Sequence, residues 1–490
     1  MRACFVFDPE AWRLPEARHA VEVVASLLEV RWRCAVQGAE VSPGEPIVFV
    51  GRPAGAPPDA AAVVPLEGWP RWVPSSLEVA TFEGEPLPCP GGDLGEAGDS
   101  CRLPQVWLRA IGFLIQRDEE FLDSRRDQWE CFSGFTTRLE ALGILDRPLV
   151  NLYAAQLARR LAAWFVRRQV TPPALPRWKD GARFAVALTH DVDDVQRYSL
   201  RGAWRLLRLA RSPSSYALRG GVSMALRTLR RRPRRGDPYW NFDRWAAEES
   251  RHGLRSTFFF CPPEPSRRHE NDAFYRMTDP VEFEGARMPL AGMLRLLAER
   301  GFEIGLHGSY LSHRSAEELA RQKAQVEAAA GREIRGVRQH FLRFDAGRTW
   351  AAQECAGLSY DSTLGYNEAI GFRAGIAAPF HPWDPEARGP RRLIELPLTV
   401  MDGALFRTLK LDAASAVRRV REHLERVESA GGLAVLLWHP NAAAEHLFPG
   451  WWRCYAETLE YLASRRVWIA TAGEIAEWWR AREERARGPE

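Results

Sequence analysis

Lysine is nearly missing from this chain: three residues, against 64 arginines among the 67 basic side chains. That bias points first to a GC-rich coding sequence and only second to anion binding. An excess of one charge sign is also lacking. The formal net charge is +4 over 490 residues, which gives no sign of a nucleic-acid partner. The eight cysteines are scattered with no C-x-x-C spacing, so reduced thiols are expected rather than a disulfide framework or a zinc ribbon. No stretch approaches the ~20 apolar residues needed to cross a bilayer. The opening residues lack the pattern of a secretory signal, so the expected location is the cytoplasm, or the inner face of the membrane. What is there is ordinary for a globular protein: 46% hydrophobic, 11% aromatic and 27% charged residues. Disordered, collagen-like and coiled-coil classes are thereby excluded, and the length suggests two or three domains.

The chain changes character along its length. Residues 1–170 mix short apolar runs and Gly/Pro-rich loops with helix-period segments at 17–30, 106–117 and 149–169, and read as a smaller N-terminal α/β accessory domain of unknown role. Three prolines within six residues mark 171–182 as a linker. Beyond it, apolar strands are expected at 184–189, 256–260, 302–306, 334–338, 358–360, 393–396, 433–438 and 467–471. Helix-period stretches such as 291–300 and 413–429 lie between them. Repeated βα units of this kind predict a parallel sheet closed into a barrel over 183–480. One insertion, 197–235, holds twelve arginines and no acid. It reads either as a solvated arm or as a basic lid that meets a membrane surface or a phosphate-bearing carrier.

In such barrels reactive groups sit where strands end. Here those ends share one composition: Thr189-His190-Asp191-Val192-Asp193, His307 to His313, Arg338-Gln339-His340, Tyr360-Asp361 and Trp438-His439. Two imidazoles and a carboxylate suit Zn²⁺ or a similar divalent ion, with positions left for water and substrate. A second carboxylate then takes the proton of that water, and an opposing imidazole protonates the departing group. The remaining histidines (His19, His252, His269, His381, His423 and His446) are expected to be surface or packing residues.

Taken in order, these motifs resemble the polysaccharide deacetylase family, the nodulation-type and peptidoglycan deacetylases of carbohydrate esterase family four, over about residues 183–475. The resemblance implies a distorted (β/α)₇-type barrel and a divalent metal, Zn²⁺ first and Co²⁺, Ni²⁺ or Mn²⁺ next. It implies Asp191 as general base, Asp193 and His307 as ligands, Arg338 holding the base, His439 as acid and Asp361 tuning that acid. Leu311 stands where the family usually has its second histidine, so the third ligand is assigned to His313, with His340 or His190 as alternatives. The oxyanion would rest on the ion and on a backbone N–H near Gln339 or His340. Tyr310, Gln339, Arg343, Tyr366, Arg373 and Trp438 are candidates to line the cleft.

The implied activity is N-deacetylation of an acetylated amino sugar, nucleotide- or lipid-linked, in cell-surface polysaccharide biosynthesis. The alternatives are another metal-dependent amide hydrolase on the same barrel (deformylase, ureide or imide type) and a catalytically silent glycan-binding module.

Overall fold

The computed structural model describes residues 2–487 apart from 43, 96–100, 173, most of 199–235, 264–268 and 270. The arginine-rich insertion therefore lies largely outside the described residues. None of the described helices is long and apolar enough to cross a membrane.

The first four strands, Arg2–Phe7 (β1), Arg31–Val36 (β2), Ile47–Gly51 (β3) and Ala62–Pro65 (β4), form a parallel sheet in the order β2-β1-β3-β4. Alternation along β1 sends Ala3, Phe5 and Phe7 into the large core and Cys4 and Val6 into a small one on the opposite face. Both faces are thus covered, as a parallel sheet requires. An antiparallel hairpin follows, Leu77–Phe82 (β5) and Glu85–Pro90 (β6). The helices Trp107–Ile115 and Leu149–Arg167 then pack against it and against the helix Pro15–Ser26.

The larger sheet begins with Phe184–Val192 (β7), buried at all nine positions, and Thr257–Phe260 (β8). After a hairpin (β9, Pro280–Phe283; β10, Ala286–Pro289) come Glu303–Gly308 (β11), Gly336–Gln339 (β12) and Tyr360–Asp361 (β13). A second hairpin (β14, Trp383–Asp384; β15, Gly389–Pro390) precedes Ile394–Glu395 (β16), Val400–Met401 (β17), Leu433–Leu437 (β18) and Val467–Ala470 (β19). The order is β16-β13-β12-β11-β8-β7-β18-β17, with β19 beside the first half of β7, and every pairing is parallel. The short segment between β16 and β17 spans the open side: Leu398 N–H bonds the Leu364 carbonyl and Thr399 N–H that of Val435. The fold is α/β: a distorted (β/α) barrel with a smaller N-terminal α/β domain.

β7 runs three residues beyond the expected 184–189, so His190 and Asp191 are part of the sheet. β17 and the hairpins were not expected; a two-residue strand has no period of its own to read. The two sheets share one continuous core, from Ala3 to Ala486. The crossing segment is itself packed: Trp178 is buried against Trp479, and Arg177 donates to the Leu27, Ala430 and Gly431 carbonyls.

His423, on the helix Ala413–Ser429, is fully buried and faces the Phe372 ring at 5.0 Å. Neither ring nitrogen has a hydrogen-bond partner among the described residues. Burial, reinforced by Arg419 and Arg426, pushes its pKa down to about 3. The unfolded chain, with an ordinary imidazole near 6.5, therefore takes up this proton more readily. Stability is fully present above pH 6.5 and is lost as pH falls towards 3, by about 2 kcal/mol at pH 5. His423→Leu is expected to remove that loss. Thermal unfolding at pH 7.5 and 5.0 checks it, and an unchanged difference between wild type and variant at the two pH values contradicts it.

Candidate active site

Side chains alternate across a strand, so Asp191 lies on the inner face of β7, with Asp193 one residue past the strand's end on the same side, while His190 points to the other. There His190 is wedged between the Phe258 and Trp245 rings, with Nδ1 on the Trp438 carbonyl and Nε2 on Glu249 Oε1, both at 2.8 Å. It is no ligand of the site.

On the inner face three histidines converge on Asp193. His307 Nε2 and His340 Nδ1 each lie 3.3 Å from Asp193 Oδ1, and His439 Nε2 lies 3.5 Å from Oδ2. Burial alone would raise the Asp193 pKa. The His340, His307 and His439 imidazoles outweigh it and hold the carboxyl well below the usual carboxylate range.

The outer nitrogens decide what the inner ones can do. His307 Nδ1 lies 2.9 Å from the Arg338 carbonyl and His340 Nε2 lies 2.6 Å from that of Asn271, so each must carry the proton and donate it. In the neutral rings the two inner nitrogens then present lone pairs to each other across 2.9 Å, beside an anionic oxygen. Such an arrangement repels itself unless a positive charge sits among the three atoms. Their mutual distances are those of ligands with bonds of ~2.0–2.2 Å to one ion, and carbonyls behind ligating imidazoles are the usual outer support. Asp193, His307 and His340 therefore fit a divalent metal. The Cys261 thiol is also near, its sulfur within 4.8 Å of ligand nitrogens of both histidines, but burial pushes its pKa well up.

The structure brings His340, not His313, to this cluster. The turn Ser309–Ser312 that separates the two histidines is held by Gln322 and Asp272. His313 ends buried near Arg343, Arg314 and Glu130; burial and the two arginines push its pKa down to about 3. His340 stands closer because β12 pairs in register with β11, Arg338 opposite His307.

Behind the cluster Arg338 is fully buried. It gives Nη1 to Asp191 Oδ1 at 3.0 Å and to Thr189 Oγ1 at 2.7 Å, and Nε and Nη2 to the carbonyl and hydroxyl of Ser362. Asp191 is thus fixed as a buried carboxylate facing the site. Removing one partner of a buried pair strands the other charge. Arg338→Met is expected to cost about 3–5 kcal/mol in urea unfolding, and Arg338→Lys to recover only part because it lacks the two-pronged geometry.

Opposite, Asp402 holds His439: Oδ1 accepts from Nδ1–H at 2.7 Å and Oδ2 from the His439 backbone N–H at 2.8 Å. Burial opposes the charge on this ring, but Asp402, with Asp193 and Asp191, raises its pKa to about 9. Asp361, expected in this role, is elsewhere. It bonds Thr363 and shares the core with Glu395, and burial raises its pKa to about 6. The reason is sheet order: β13, which carries Asp361, is four strands from β7, whereas Asp402 follows β17, the neighbour of β18 and hence of His439. A strand-end acid after Met401 was the available signal, hidden because β17 is so short.

The expected cleft residues divide. Tyr310 stacks on His269 at 4.2 Å under Arg343, next to the site. Gln339 spends its backbone N–H on Thr363 Oγ1 and accepts from the Ser312 hydroxyl, so that N–H is not free for an oxyanion. Arg373 is locked by two bonds of 2.8 Å to Glu120 and another to the Gly365 carbonyl; Tyr366 and Trp438 are buried. These last three are packing residues, not cleft residues.

No family model matches the chain, and no curated relative is found. Solved structures do resemble it. A protein described as a polysaccharide deacetylase from Mycobacterium smegmatis is 23% identical, over 64% of this chain and 96% of that one, with a TM-score of 0.41. Puue allantoinase is 15% identical over 64% and 94%, with a TM-score of 0.40. A protein described as a polysaccharide deacetylase from Pseudomonas aeruginosa PAO1 is 16% identical over 64% and 95%, with a TM-score of 0.40. The likeness is one of fold. What the centre does has to be read from its own side chains.

Proposed function

We propose that this protein is a divalent-metal-dependent N-deacetylase acting on an acetylated amino sugar. The observation that carries the reading is the convergence of His307 Nε2, His340 Nδ1 and Asp193 Oδ1, with outer carbonyls directing both imidazole lone pairs inward. A divalent ion bound there, Zn²⁺ by the donor types, would lower the pKa of water and polarise the amide carbonyl. Asp191, held by Arg338, takes the proton of the attacking water. His439, kept protonated by Asp402, gives a proton to the departing amine nitrogen as the acyl–nitrogen bond breaks. Base and acid flank the ligand set from different strands, the arrangement that hydrolysis of an amide needs.

The test is acetate release from acetylated sugar nucleotides, lipid-linked acetamido sugars and N-acetylglucosamine oligomers, with metal content measured alongside. Acetate together with about one equivalent of metal supports the reading. Formate or ammonia from other amides points to a different amide hydrolase, and bound sugar without turnover points to a silent binding module.

A further inference from the structure

The N-terminal domain reaches the mouth of the barrel through the loop 127–131. The loop is tight: Asp127 Oδ1 accepts from the Trp129 and Cys131 backbone N–H groups, both at 2.8 Å. Its carbonyl at Trp129 accepts from Arg343 Nη1 at 3.0 Å and from the Tyr310 hydroxyl, while Glu130 pairs with Arg343 at 2.6 Å. The Cys131 thiol donates to the Phe341 carbonyl at 3.4 Å, which also accepts from Asn367 Nδ2 at 2.9 Å. What is being held is unusual. Phe341 and Leu342, directly after His340, have φ of 59° and 50°, a left-handed conformation costly for bulky side chains.

The held turn presents an aromatic wall. The Trp129 ring lies 5.8 Å from Phe341, and Phe341 lies 4.8 Å from the His340 ring and 5.6 Å from Tyr310. Trp129 and Phe341 are both half-buried, so neither residue is closed off within the core. Neither aromatic is needed for the chemistry proposed above. A half-buried tryptophan whose backbone carbonyl is held by Arg343 and Tyr310 suits a flat ligand face, since little main chain is left to order on binding.

We infer that Trp129 of the N-terminal domain, with Phe341, forms a stacking platform for a pyranose ring of the substrate next to the metal centre. The inference rests on the sugar-deacetylase reading and assigns the N-terminal domain a part in the substrate cleft.

Trp129→Ala and Trp129→Phe in the full chain test it, with N-acetylglucosamine trimer and 4-nitrophenyl acetate as probes. For Trp129→Ala the KM for the trimer is expected to rise roughly tenfold. Turnover of 4-nitrophenyl acetate and metal content should stay within twofold, and Trp129→Phe should restore most of the trimer affinity. An unchanged KM overturns the platform. So does an equal loss on both probes, which would make Trp129 a support for the His340 turn. If wild type releases no acetate from the trimer or from any other acetylated sugar of the panel above, the deacetylase reading fails separately. Calorimetry with the trimer then decides: binding lost in Trp129→Ala upholds the platform, and no wild-type binding overturns it.

Discussion

His340→Ala is expected to abolish metal retention and lower acetate release by about 10³-fold or more, because an ion supplies several kcal/mol of transition-state stabilisation in such centres. Asp193→Ala should do the same, since its Oδ1 is equidistant from both histidines at 3.3 Å. The informative control is His313→Ala. His313 lies off the cluster between Arg343 and Arg314, so its loss should leave metal content intact. Elemental analysis of the three purified variants, beside the wild type, reads the result directly. Metal kept by His340→Ala but lost from His313→Ala would show that the coordination set has been drawn wrongly. Cys261→Ser belongs to the same series, because its sulfur is within reach of both imidazoles; retention of metal there is the outcome expected of a neutral buried thiol.

The second large effect is expected at Asp402. Replacing it with Asn keeps shape but removes the charge that opposes burial of the His439 imidazolium, and it turns one of the two acceptors of His439 into a donor. General acid–base assistance contributes typically about 10²–10⁴-fold, so kcat should fall by roughly that range, with KM and metal content little changed. Asp361→Asn should behave differently. Its carboxyl lies in the core beside Glu395 and Thr363, so the effect should show in unfolding temperature more than in kcat. Steady-state kinetics and thermal melts on the two variants separate the cases. A large kcat effect at Asp361 with none at Asp402 would reverse the assignment of the acid's partner.

Several features were readable from local pattern alone. Buried runs separated by helix-period segments indicate parallel βα units, and the Asp191–Asp193 spacing of two places both carboxylates on one face of a strand whichever way it pairs. The same rule explains why His190, one residue off, could never join them. Other features needed partners distant in sequence. His307 and His313 look like a pair in the text, yet across the turn anchored by Asp272 and Gln322 they have different neighbours, His340 and Asp193 for the first and Arg343, Arg314 and Glu130 for the second. Arg373 and Tyr366 have the polarity of cleft residues, but Glu120 and Phe132 of the N-terminal domain hold Arg373, and Tyr366 is buried beneath its guanidinium.

The residue order by itself determined the fold class and made Asp191, Asp193, His307, Arg338 and His439 candidates for one site, because strand and helix periodicity and the two-residue spacing of strand-end acids are local properties. Only the tertiary structure decided which histidine completes the ligand set, which acid stands behind His439, and that a tryptophan from the first domain borders the centre. Those choices depend on strand register, sheet order and the direction of turns, which are settled by contacts between segments tens to hundreds of residues apart.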